Sequence, residues 1–193
     1  MRSGLLAGLV VLGAALTATS ASSQIAMVRA VEASTERDWR HERSGMTFPA
    51  VLVGAKRDAV QDTTSSEYDV FARYVSEDNA TAILIHVYSP AAMSVPLWFD
   101  RAHVALALGN GSGPTKPATI FAPPGSKTAS AMRVSYENPT NGTAAAVAMV
   151  PLGDWLVKIS IAGKGSGAEI ESRIDQILKA INLPDLPDAP TAV

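Results

Sequence analysis

The 193-residue chain contains no cysteine. Disulfides, thiolate nucleophiles, cysteine-ligated metals and a lipid-modified cysteine at an export cleavage point are therefore excluded. It also lacks a basic excess: 16 Lys and Arg stand against 18 Asp and Glu, a net charge of −2. A phosphate backbone is an unsuitable partner for such a chain, so no nucleic acid is expected, and there is no polybasic cluster to address an anionic membrane. Long apolar runs are missing as well. The run Leu5–Leu16 spans twelve residues, or roughly 18 Å as a helix against a hydrocarbon core of about 30 Å. Histidines number three, His41, His86 and His103, with no i,i+4 pair and no H-E-x-x-H, which argues against a three-histidine zinc site. No serine has glycines two residues away on both sides, and no Walker loop or G-x-G-x-x-G occurs. No metal and no cofactor is expected.

The start of the chain has the order of a secretory leader: Arg2, the apolar run, then small residues Thr17–Ser23. Residues 1–23 read as a signal peptide with cleavage before Gln24, and no stable membrane span is expected after it. Removal of Arg2 makes the remainder one charge more negative. A domain that folds without disulfides after export suits a bacterial periplasm or secretion into the medium. The sequons at Asn79, Asn110 and Asn141 then read as turn residues.

The exported part divides into a lead-in at 24–38, polar and small with a weak helical pattern (Ile25, Val28, Val31), one domain at 39–183, and a tail at 184–193 with Pro at 184, 187 and 190. Met46, Phe48, Val51 and Val53 are strand formers interrupted by Pro49, which argues for an edge or a bulge. Residues 54–66 read as a polar loop, and the acidic residues around it (Asp58, Asp62, Glu67, Asp69) as its solvated surface. Tyr68–Ser76 and Ala80–Tyr88 alternate and are joined by a Glu-Asp-Asn turn, which predicts a hairpin. Ser94 is placed to cap a helix running to Leu108, with Trp98, Ala102, Ala105 and Leu108 on one stripe and Gly109 as the stop. Residues 109–127 hold four prolines and four glycines, a connection long enough to be mobile or functional. Ser130–Tyr136, Thr143–Val150 and Trp155–Ala162 form a meander around the Asn141-Gly142 turn. A final helix, about 168–181, carries Ile170, Ile174, Ile177, Leu178 and Ile181 on one side, and Ser166 and Glu169 have capping-box spacing. The sum is α+β: an antiparallel sheet built from hairpins with two helices packed against it, both on one face.

The phrases Ser44-Gly45-Met46-Thr47-Phe48-Pro49 and Gly153-Asp154-Trp155, with this element order over about 39–183, resemble a group of uncharacterised small secreted bacterial proteins. The order is also similar to the Mog1/PsbP-like α+β sandwich. That resemblance implies binding to partner proteins or an accessory role rather than catalysis, and it carries over no catalytic residue.

Two constellations are candidate binding sites. Trp98, Asp100, Arg101 and His103 lie together on the first helix, a cation, a carboxylate and an imidazole suited to an anionic ligand or to proton transfer. Lys164 and Ser166 lie in a Gly-rich strand-to-helix loop, where free amides attract anions; a plain capped turn is the competing reading. Trp39, Trp98 and Trp155 could wall an apolar pocket, though packing is their default role. The expected function is a non-catalytic periplasmic binding or accessory module that contacts another envelope protein. Two alternatives are a small-ligand carrier, with a cleft between helix 94–108 and the sheet lined by Trp98 and Tyr side chains, and a hydrolase built on Asp100 and His103.

Overall fold

The computed structural model describes residues 29–31, 34–110 and 113–184. The predicted leader 1–23, residues 24–28 and 32–33 of the lead-in, and residues 185–193 of the tail lie outside them. One antiparallel sheet carries the fold. Its order is β1 (Arg29–Ala30), β5 (Ala55–Asp62), β6 (Asp69–Ser76), β7 (Thr81–Tyr88), β11 (Trp155–Lys164), β10 (Thr143–Leu152), β9 (Ala131–Asn138) and β8 (Thr119–Phe121). A short β4 (Val51–Leu52) folds back on β5, while β2 (Trp39–Arg40) and β3 (Thr47–Phe48) pair separately. Helices α1 (Val95–Asn110) and α2 (Gly167–Ala180) complete the α+β architecture. Among the described residues, no helix is long and apolar enough to cross a membrane.

The two helices lie on opposite faces of the sheet, not on one. The residues of β10 show this by their parity. Ala144, Ala146, Ala148 and Val150 join the core that holds the α2 residues Ile170, Ile174, Ile177 and Leu178. Val147 and Met149 join a second core with Phe99 of α1, and with Val134 and Tyr136 of β9. A strand buried on both faces loses its alternation and reads as one apolar run; residues 144–150 are all buried. Small alanines on the α2 side let that helix approach closely. Its isoleucine stripe is fully inside, each large aliphatic contributing about 1.5–3 kcal/mol. The capping box forms as its spacing predicts: Ser166 accepts from the Glu169 amide and the Glu169 carboxylate accepts from the Ser166 amide.

The rest of the α2 face, over β5–β7, is covered by the segment before β4. Met46, Phe48 and Leu52 are buried there with Val70, Ala72 and Tyr74. The buried Arg57 side chain ties this segment down. It donates to the carbonyls of Ser34 and Arg37 at 2.6 Å each, to Pro49 at 3.3 Å, and to Phe48. Residues 54–66 are thus not a loop: most of them form β5. A bulge between Arg57 and Ala59 shifts the parity, so Ala55, Arg57, Val60 and Asp62 all point inward. Two of those four are charged, and the extra residue breaks the alternation that would have announced a strand.

Three smaller expectations also change. Residues 29–30 are a strand on the β5 edge rather than part of a helical pattern. α1 runs two residues past Leu108, and Phe99, not the Trp98 stripe, is its buried centre. The 109–127 connection is pinned where it is described: Pro114 bridges Tyr136, the Thr115 amide donates to the Ser135 carbonyl at 2.9 Å, and 119–121 form β8.

Candidate functional site

α1 packs mainly over β9 and β10. The same face of β6, β7 and β11 therefore stays open beside it, and a cleft of about 430 Å³ forms along the helix flank. Three adjacent strands supply its floor. His86 on β7 sits opposite Lys158 on β11 and Phe71 on β6, and Asp69 sits opposite Tyr88. Cross-strand neighbours of this kind have Cβ atoms about 5 Å apart, so Asp69, His86, Tyr88 and Lys158 form one cluster. Tyr68, just before β6, closes one end. From the helix come Trp98, Arg101, Ala102 and Ala105.

The aromatic walls are fixed by their own bonds. The Trp98 indole donates to the Ala92 carbonyl at 2.9 Å, and its ring meets Tyr88 edge-on at 5.5 Å. The Tyr88 hydroxyl reaches Met149 Sδ at 3.5 Å. Tyr68 stacks on Trp155 at 6.0 Å, with the Arg43 guanidinium 4.4 Å from its ring. The loop that carries Tyr68 is held from below. Asp62, only 1% exposed, accepts from the amides of Thr64 and Glu67. His41, fully buried, donates from Nε2 to the Glu67 carbonyl at 2.8 Å and accepts at Nδ1 from Ser44 at 2.7 Å. Asp62 and Asp69 are thus not loop decoration. The first organises the loop, and the second belongs to the cleft.

The charges in the cleft are uneven. His86 Nε2 donates to the Asp69 carboxylate. Burial alone would raise the Asp69 carboxyl, but the bond and charge of His86, with smaller help from Thr63 and Lys158, hold it below its ordinary value. Lys158 is half-buried; desolvation lowers its ammonium and Asp69 only partly restores it. Tyr88 is pushed up to about 12, by burial first and then by Asp69. Arg101 lies over the Trp98 ring at 4.9 Å. Among the described residues neither Lys158 nor Arg101 has a carboxylate within 4.0 Å.

Comparison with protein-family models, curated proteins and solved structures found no match. The geometry is the guide to function.

Of the residues singled out on α1, the helix turns two toward the cleft and two away from it. Trp98 and Arg101 line it. His103 lies on another flank, 2.8 Å from the Tyr136 hydroxyl and 3.1 Å from Asp100, whose side chain is 73% exposed. Neither Asp100 nor His103 lines this cleft. At the other candidate, the amides an anion would use are already bonded to protein carboxylates. Gly167 N–H donates to Glu137 at 3.0 Å and Ser166 N–H to Glu169 at 2.7 Å, while Lys164 is exposed beside them. Trp39 and Trp155 pack against the main core. Asp69, His86 and Tyr88 share the β6–β7 hairpin that the sequence predicts, but Lys158 joins them only through the placement of β11 beside β7, a pairing between strands far apart in the chain, so the four escaped sequence reasoning as one site.

Proposed function

We infer that the chain is an exported, non-catalytic carrier that takes a small molecule into the cleft between α1 and the sheet. The observation behind this reading is the cleft itself: about 430 Å³, with three aromatic side chains around a few polar groups. Small-molecule pockets have this size and make-up, roughly 300–1,000 Å³ and mostly apolar. Export rests on the leader-like order of residues 1–23.

The test is a thermal-shift screen of small aromatic compounds against the wild-type chain and Ala105→Trp, which places an indole at the mouth of the cleft. A ligand at a hundred times its Kd stabilises by about 2.7 kcal/mol. Compounds that raise Tm in the wild type and not in A105W support the carrier reading, and a screen with no stabilising compound removes it. Docking to an envelope protein is the second reading. It is favoured by Leu97 and Val104, 45% and 46% exposed and seven residues apart on α1, and crosslinks running through that helix would support it.

A further inference from the structure

Resting on the carrier reading, we propose that the cleft selects an acid: a small molecule with an apolar, preferably aromatic body and one anionic head group, the head held between Lys158 and Arg101.

The inference follows from how the charges are distributed. Lys158 reaches the cleft from the sheet and Arg101 from the helix, and the carboxylate among the lining residues, Asp69, is already bonded by His86. The lining therefore carries a formal charge of +1 with His86 neutral and +2 with it protonated. The whole chain has a net charge of −2, so long-range attraction works against an acid; a preference for one has to come from these two side chains. Both sit where an anion is most valuable to them. Lys158 is half-buried on a floor shared with Phe71 and Leu156, with no carboxylate of the described residues within 4.0 Å. A cation in such a place gains charge-assisted hydrogen bonds when a carboxylate, sulfonate or phosphate monoester arrives, and the loss of water from its ammonium has already been incurred on folding. Arg101 lies on the indole face of Trp98, which keeps its planar fork at the rim with its donors unused by protein carboxylates. The apolar body has its own place against Tyr88 and Trp98, which meet edge-on, with Tyr68 beyond them. An aromatic ring fits such walls by offset or edge contacts.

A matched pair of probes separates this proposal from the carrier reading. Indole-3-acetate and indole-3-acetamide have nearly the same shape and differ in charge. Calorimetric titration of the wild-type chain should give the acid an affinity about tenfold or more above the amide, the worth of one hydrogen bond to a charged group. Lys158→Met and Arg101→Met should each reduce that ratio, and Lys164→Met, an exposed cation outside the cleft, should leave it unchanged. Equal binding of acid and amide, or a preference that survives both cleft substitutions, overturns the acid selectivity and leaves the carrier reading standing. Binding of neither probe at millimolar concentration, together with no stabilising compound in the screen, removes both. Circular dichroism of each variant identifies any that fails to fold. For those, the acid-to-amide ratio in Lys158→Gln and Arg101→Gln decides.

Discussion

Replacing Arg57 by Met tests the idea that one buried cation holds the segment 34–49 onto the sheet. Arg57 is 2% exposed, with its guanidinium facing carbonyl oxygens rather than a carboxylate. Three of the four contacts are short, those to Ser34, Arg37 and Phe48. At about 1.5–3 kcal/mol for a hydrogen bond to a charged group, the three give roughly 4.5–9 kcal/mol gross. Burying the guanidinium offsets several kcal/mol of this, so the net loss expected for R57M is about 2–4 kcal/mol. In a domain of this size, that lowers Tm by about 2–4 °C per kcal/mol. Arg57→Lys should fall between, since an ammonium cannot serve carbonyls on both sides of a planar fork. Urea unfolding followed by circular dichroism gives the free energy, and hydrogen exchange locates the damage. Amides at 34–49 should lose protection well before those of β10 and β11. If R57M unfolds at the wild-type urea midpoint with residues 34–49 still protected, the reasoning is wrong.

Two further outcomes follow from the core and from a buried imidazole. Ile174→Ala, at a fully buried position under α2, should destabilise by about 2–5 kcal/mol, and Ile174→Asp should prevent folding; a melting temperature unchanged in the alanine variant contradicts the packing. Burial lowers the pKa of His41, opposed by the Glu67 carbonyl and carboxylate. The folded chain therefore binds fewer protons than the unfolded one below pH 6.5, and stability falls as pH drops from that value toward the lowered folded pKa, at no more than about 1.4 kcal/mol per pH unit. Chemical denaturation at a series of pH values from 7.5 to 5 should give a shallower slope for His41→Asn than for the wild type, and equal slopes exclude the effect.

The elements that the sequence reveals are those whose signals are local. α2 has its aliphatics at Ile170, Ile174, Ile177 and Leu178 and a capping box at its start, the β6–β7 hairpin alternates, and short turns mark both it and the β10–β11 hairpin. β5 is hidden because Arg57 and Asp62 point inward and a bulge shifts its register. The placement of the helices on opposite faces is written in the unbroken apolar run of β10, a sign that a strand is covered twice. Half of the cleft is readable in the same sense. Trp98 and Arg101 stand out on a helix and Asp69 and His86 share a predicted hairpin, but Lys158 joins them only when the sheet sets β11 beside β7. Strand order depends on long-range pairing, which no local pattern encodes.

The bond from His41 to the Glu67 carbonyl reaches around the end of the sheet. Its donor belongs to the segment clamped by Arg57 and its acceptor immediately precedes Tyr68, so the mouth of the cleft is braced by polypeptide packed on the reverse side. On the carrier reading proposed above, loosening that clamp should therefore register as altered ligand fit, even though none of the clamped residues is among those lining the cleft. On that reading the N-terminal segment acts as a remote adjuster of the cleft's aperture.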